Sequence, residues 1–372
     1  FPWCVRKCPY CDFNSHALNG QLPEADYIAA LLRDLDAETA GAQGRPVYSI
    51  FLGGGTPSLF SPRALAQLLE GCRERLVLTH DAEVTLEANP GTIERGRFAD
   101  YRAAGITRVS LGAQSFSDAH LQVLGRIHAA ADTCRAAEEL HAAGLSNFNL
   151  DLMYALPHQS IEQACADIRA ALSLSPAHVS HYQLTLEPGT VFGALPPAGL
   201  PDPDDGADMQ QACQQQLAQA GLVQYEVSGY ARADACCRHN LNYWRFGDYL
   251  GIGAGAHGKC SRIEHGRLVI ERTTKAREPR RYLRMPAGER RTVPAADLPF
   301  EYLMNTLRLK EGFTPEDFEA RAGLSFRLLA EPLARLQRRG LIEQAGSRWR
   351  ASGRGFELLN ELLAQFLPPA SV

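Results

Sequence analysis

Short apolar runs alternate with longer amphipathic stretches through the first 229 residues. Residues 24–40 (EADYIAALLRDLDAETA) repeat apolar positions three and four apart, the spacing of one helix face. Val47–Leu52 (VYSIFL) is a compact apolar run that stops at Gly53-Gly54-Gly55-Thr56, and it reads as a buried strand. Ser61-Pro62 then opens a helix to about Arg75, with proline at its first position. The alternation continues. Strands are expected at Glu83–Glu87, Thr107–Gly112, Phe148–Leu152, His178–Leu184 and Gln224–Ser228. Helices are expected near 93–104, 117–124, 130–143, 160–174 and 207–220. Pro196–Asp205 reads as a solvated loop.

Strands separated by helices argue for a parallel sheet with crossover helices. With one more strand leading into Cys4, about six βα units result. The expected fold is therefore α/β, a partial (β/α)6 TIM-like barrel. The chain opens on Phe1 without a methionine, and the start of that first strand is expected to lie upstream. The pattern changes after 229. Residues 230–262 are rich in Gly, aromatics, His and Cys, and 263–298 read as irregular and Arg-rich. Helical periodicity returns from 299. Thr314–Ala322 and Ser325–Arg339 read as two helices joined at Gly323, and Leu341–Trp349 as a small β-wing. Three parts follow: a barrel over 1–229, an extension with a basic loop over 230–298, and a C-terminal helical, winged-helix-like domain over 299–372.

Composition narrows the function classes. An apolar content of 45% suits a substantial core, and a net charge of −4 gives no general affinity for nucleic acid or anionic lipid. The arginines at 277, 280, 281, 284, 290 and 291 are interspersed with Glu278 and Glu289, so a solvated basic loop is expected there and not an RNA surface. No apolar run is long enough to span a membrane. Ten cysteines in so long a chain do not make a disulfide scaffold and suit a reducing compartment. A cytoplasmic location is expected, with room for peripheral membrane association. Cys72, Cys134, Cys165 and Cys213 fall in helical stretches and read as small buried hydrophobes.

Cys4, Cys8 and Cys11 are different, spaced C-x3-C-x2-C. Four thiolates normally hold a four-iron cluster, and three leave one iron open to a ligand. Zinc fits this spacing poorly, since its usual pattern is paired. In a parallel barrel, ligands bind at the carboxyl ends of the strands. The GGGT turn, Glu87, Gln114 and Asp151 lie at such ends, and Arg126 follows nearby. Singly each has an ordinary reading as a turn, a cap or a local pair. Together they make a ring around the cysteine loop.

The three-cysteine loop resembles the signature of the radical S-adenosylmethionine (SAM) superfamily. Nearly the whole chain carries that likeness: CPYCDFNSH, GGGTPS, LEANPGT, SLGAQSF, LDLMYALP, LEPGT, HNLNYW and GIGAGAHG. Within the superfamily it is similar to the proteins related to oxygen-independent coproporphyrinogen III oxidase. The resemblance implies a [4Fe-4S] cluster whose open iron chelates SAM. It implies SAM contacts at Tyr10, Gly54, Gly55, Thr56, Glu87, Gln114, Arg126 and Asp151. Two features separate branches. The true oxidases carry a further cysteine two residues past the third, where this chain has Phe13. His239-Asn240-Leu241-Asn242-Tyr243-Trp244 is similar to the H-N-x-x-Y-W signature of the HemW family of heme chaperones. That branch implies heme as a third cofactor, an acceptor hemoprotein as partner, and an electron donor of flavodoxin or ferredoxin type. His239 is the heme-ligand candidate, since a neutral imidazole suits heme iron. Cys236, Cys237 and His257 are alternatives. The competing reading is a radical SAM oxidative decarboxylase of coproporphyrinogen III.

Overall fold

The computed structural model describes residues 1–91 and 96–367. The first residues of the helix expected at 93–104, and the last of the C-terminal domain, fall outside the described residues. Fourteen strands occur in the described residues. In chain order they are β1 (Trp3–Cys4), β2 (His16–Ala17), β3 (Val47–Leu52), β4 (Leu78–Ala88), β5 (Arg108–Gln114), β6 (Phe148–Tyr154) and β7 (His178–Gln183). Then come β8 (Val223–Gln224), β9 (Gly229–Ala231), β10 (His257–Glu264), β11 (Arg267–Thr274), β12 (Glu289–Thr292), β13 (Ile342–Ala345) and β14 (Arg348–Ala351).

One sheet runs β3-β4-β5-β6-β7-β9-β8, curled into a half-barrel. Strands β3 to β7 are parallel, and β9 and β8 close the far edge antiparallel. The segment before the cysteine loop lies along the end of β3. There Gly55 N–H donates to Phe1 O, and Thr56 N–H to Trp3 O at 2.7 Å. The strand β1 pairs in parallel with β2 in a separate two-stranded sheet, so the strand expected ahead of Cys4 as the first of the barrel is not part of the main sheet among the described residues. The single strand expected at Gln224–Ser228 is instead the short pair β8 and β9.

Alternation along the strands sorts two environments. Val84, Leu86 and Ala88 of β4 and Val109, Leu111 and Ala113 of β5 join the helices in the main apolar core. Their neighbours Glu83, Glu87, Arg108, Ser110 and Gln114 point to the other face, into the concavity. Each fully buried Leu contributes about 1.5–3 kcal/mol, which sets the outward register firmly and so aims the polar set inward.

The stretch 263–298 is more regular than its sequence reads. With His257 onwards it contains the antiparallel sheet β10-β11-β12 and the short helix Pro279–Arg284. Arg and Glu fill its outward positions, which masks the strand period. Its position is fixed by buried ion pairs to the helix Glu24–Ala42: Lys275 Nζ lies 2.5 Å from Asp34 and 2.7 Å from Glu38. Tyr282 donates to Asp34 at 2.7 Å, and Lys259 pairs with Asp248 at 2.8 Å.

A second apolar cluster forms from the C-terminal helices Leu298–Thr306, Pro315–Ala322 and Arg327–Arg338 with the hairpin β13-β14. Thr314 and Asp317 make a capping box, and Gly323 (φ 69°) ends that helix. The order helix, helix, wing agrees with the winged-helix-like expectation. Among the described residues, no helix is long and apolar enough to cross a membrane.

Candidate functional site

Two polar clusters occupy the concavity, one at the mouth formed by the carboxyl ends of the strands and one four residues deeper. The mouth is built on the Cys4–Cys11 loop, which is closed by Cys11 N–H to Cys8 O at 3.2 Å. Lys7 ties its far side, donating to the carbonyls of Phe13 (3.3 Å) and Ser15 (3.2 Å). Pro9 O accepts from Phe192 N–H at 3.0 Å, so the helix after β7 clamps the loop. All three thiols are free and half-buried.

Each sulfur has one polar neighbour. Thr56 Oγ1 donates to Cys4 Sγ at 3.3 Å, Arg126 Nη1 to Cys8 Sγ at 3.7 Å, and Cys11 Sγ lies 3.8 Å from Ser15 Oγ. Burial pushes the Cys4 thiol up, and the nearby Cys11 and Cys8 add to it, while Thr56 opposes the shift. The GGGT turn earns its glycines from the lead strand. A Cβ on Gly54 (φ +117°) would meet Phe1 O at 2.9 Å, and one on Gly55 would meet Trp3 O at 2.6 Å.

Around the loop, the predicted residues converge. Gly54 N–H donates to Glu87 Oε2 at 2.9 Å. Burial, then the charge of Asp151, raise the Glu87 carboxyl to about 7. Asp151 is raised by burial too, against hydrogen bonds from Asn149 (2.7 Å) and Ser110 (3.2 Å). Gln114 holds φ 69°, just past a register shift in β5, and accepts from Tyr182 Oη at 2.8 Å. Such strained, bulged positions cluster where a side chain is re-aimed at a site. Arg126 is the hub. Its Nη2 donates to Asn89 Oδ1 (2.5 Å) and Gly112 O (2.8 Å), while its buried Nε has no partner. Tyr10 lies between the cysteines and packs partly buried with Leu124, Met153 and Phe192. Asn89 and Tyr182 were not singled out from sequence. Asn89 sits inside LEANPGT and links Arg126 to Thr56 Oγ1 at 3.0 Å; the motif was its one available signal.

The deeper cluster holds His239. The segment HNLNYW lies in the short helix Arg238–Trp244 beside β3. His239 stacks on Phe51 with ring centroids 3.9 Å apart, and its Nδ1 lies 2.9 Å from Cys237 Sγ and 3.9 Å from Glu83 Oε1. Burial lowers the His239 pKa. It pushes the Cys237 thiol up to about 12. Burial also raises Glu83, but His239 and Arg108 together bring it below its ordinary value. His239 is therefore engaged, not open. His257 differs: it is exposed and lines a cavity of about 580 Å³ with Tyr249, Arg272, Arg291, Phe300 and Met304. Cys236 is half-buried, and Phe13 is exposed beyond the loop.

Comparison with known proteins gives a consistent set. Residues 1–171 match the model of the radical SAM superfamily, and residues 293–358 match that of the HemN C-terminal domain. The chain is 50% identical to the heme chaperone HemW of Escherichia coli, over 98% of this chain and 96% of that protein. It is 48% identical to heme chaperone HemW of Haemophilus influenzae, with the same coverage. Among solved structures, coproporphyrinogen III oxidase (HemN) from Escherichia coli, described as a radical SAM enzyme, superposes with a TM-score of 0.81 at 22% identity. That match spans 98% of this chain and 88% of the other, and it shows the shared fold.

Proposed function

The chain belongs to the HemW family of heme chaperones within the radical SAM superfamily, and from that premise we propose that it binds heme and hands it to an acceptor hemoprotein while carrying a SAM-binding [4Fe-4S] cluster. The observation that carries the reading is the mouth: three free thiols on one clamped loop, ringed by polar groups on successive strand ends.

Those residues fit the cluster and its ligand. Cys4, Cys8 and Cys11 are the iron ligands in this reading, and no fourth thiol is needed. When bound, the cluster supplies an open iron that chelates the amino and carboxylate groups of SAM. The chain's own groups do the rest. Arg126 offers its unpartnered Nε and its charge beside Cys8, which favours anionic sulfur and a carboxylate. Gly54, Gly55 and Thr56 bring backbone close to the ligand. Glu87 and Asp151 are acceptors for hydroxyl and ammonium groups, Gln114 reads a polar edge, and Tyr10 presents the loop backbone to the adenine.

For heme, His239 is the ligand named by the motif. Its imidazole must leave Cys237 and Glu83 to reach iron, so heme binding requires the Arg238–Trp244 helix to shift against the contacts of Arg238 with Glu83 and Asp81. His257 is the alternative, already open. The division at 229 and 298 is part of the proposal, with the extension as the heme-handling part. Asn14 connects it to the cysteine loop, donating to Ala254 O (3.0 Å) and Arg277 O (2.9 Å). A reducing cytoplasm and a flavodoxin- or ferredoxin-type donor suit an oxygen-sensitive cluster.

The test is heme titration of the anaerobically reconstituted protein, followed by absorbance. One heme per chain is expected, with the band altered in His239→Ala and unaltered in His257→Ala. No heme band in the wild-type chain overturns the reading.

A further inference from the structure

Three donors of different chemistry meet at the floor of the half-barrel. Cys237 Sγ, His239 Nδ1 and Glu83 Oε1 are separated by 2.9 Å (S to N), 3.7 Å (S to O) and 3.9 Å (N to O). They are enclosed: Cys237 is 0% and Glu83 7% exposed, and the His239 side chain 12%. We propose that Glu83, Cys237 and His239 form a second metal site, separate from the cysteine loop, for a divalent cation of the zinc class.

Zinc binds thiolate sulfur at about 2.3 Å, imidazole nitrogen at about 2.0–2.1 Å and carboxylate oxygen at about 2.0–2.2 Å. Around a tetrahedral ion those bonds place the donors about 3.4–3.6 Å apart. The observed separations bracket that range, and one ion reaches all three when the sulfur-to-nitrogen distance opens and the nitrogen-to-oxygen distance closes by about 0.5–0.6 Å. The donor set also selects. Calcium and magnesium take oxygen ligands, whereas a mixed sulfur, nitrogen and oxygen set suits zinc and its borderline-soft neighbours.

Outer contacts hold the donors in place, as metal ligands require. Arg238 N–H donates to Glu83 Oε1 at 3.0 Å, and the Arg238 side chain is anchored on Asp81 at 3.0 Å. The Phe51 ring fixes the imidazole plane. Charge agrees as well: one carboxylate and one thiolate neutralise a divalent ion. Arg108, near enough to act on all three groups, makes any higher charge unfavourable. Glu83 precedes Glu87 by four residues on β4, so the site lies about 13 Å below the mouth at about 3.3 Å per residue. The site engages the imidazole that heme is proposed to use, so the two ligands exclude each other there.

Cobalt(II) titration of the full chain tests this, with Cys4, Cys8 and Cys11 all changed to Ala so that the loop takes no cobalt. No heme is added, so the outcome is independent of the heme reading. One cobalt per chain with a thiolate-to-cobalt charge-transfer band is expected, bleached by zinc. Cys237→Ser should abolish the band, and His239→Ala and Glu83→Gln should each weaken binding more than about tenfold. Cys134→Ser, on the helix Ala130–Ala142, should change neither. Absence of the band, or its persistence in Cys237→Ser, overturns the proposal. If Cys237→Ser does not fold, an unchanged cobalt affinity in Glu83→Gln overturns it.

Discussion

The mouth and the floor of the half-barrel are built on the same strands, yet they treat their polar groups in opposite ways. At the mouth, three thiols are free and Arg126 keeps a buried nitrogen without a partner. At the floor, Glu83, Cys237 and His239 contact one another, and Arg238 N–H caps the carboxylate. Leaving a buried donor unsatisfied costs about 1–3 kcal/mol. Arg126 carries that cost beside Cys8 Sγ, where its charge suits an anionic ligand. The mouth thus presents separate polar groups around the cysteine loop, while at the floor three donors already meet one another.

Substitutions can break this contrast. The largest effect is expected at the mouth, on ligand and not on fold. Changing Cys4, Cys8 and Cys11 together to Ala should bring cluster iron and sulfide to background after anaerobic reconstitution, with unfolding free energy within about 1 kcal/mol of the parent apo-protein. Iron loading that survives would refute the mouth assignment. The floor should respond the other way. Glu83→Ala strips the Arg238 N–H and the Arg108 charge of a buried partner, and should cost about 3 kcal/mol by urea unfolding while cluster loading persists.

A smaller effect is written in pH. Glu87 is raised from 4.5 to about 7, so the native state holds a proton that the unfolded chain releases first. Stability is then highest below pH 4.5 as far as this group is concerned, and falls as pH rises through the window to 7. Glu87→Gln should remove that fall, at most about 3 kcal/mol at about 1.36 kcal/mol per pH unit, read from unfolding midpoints across the window. A slope that survives the substitution would assign it elsewhere. The smallest effect is expected from Thr56→Val. It deletes the donor to Cys4 and the acceptor for Asn89, for about 1 kcal/mol of stability and a measurably weaker SAM affinity.

The same contrast explains what could be read from sequence. The strand and helix alternation, the cysteine spacing and the residues at strand ends are local patterns, and all of them converge in the structure. Contacts made across the chain were hidden. Lys275 meets Asp34 across 241 positions, and Cys237 meets Glu83 across 154, with no periodicity to announce either pair. Strands β11 and β12 read as irregular because charged residues fill their outward positions. His239 was found by its motif, but its burial against Phe51 and Cys237 followed only from three-dimensional packing.

The central claim is heme handover, and transfer tests it most directly. Protein reconstituted with cluster, SAM and one equivalent of heme is mixed anaerobically with an apo-hemoprotein, and the two are separated. The account predicts heme spectra and recovered activity in the acceptor, with transfer lost in the Cys4, Cys8 and Cys11 triple variant. Heme that stays on the donor, or transfer at the same rate without the cluster, would contradict it.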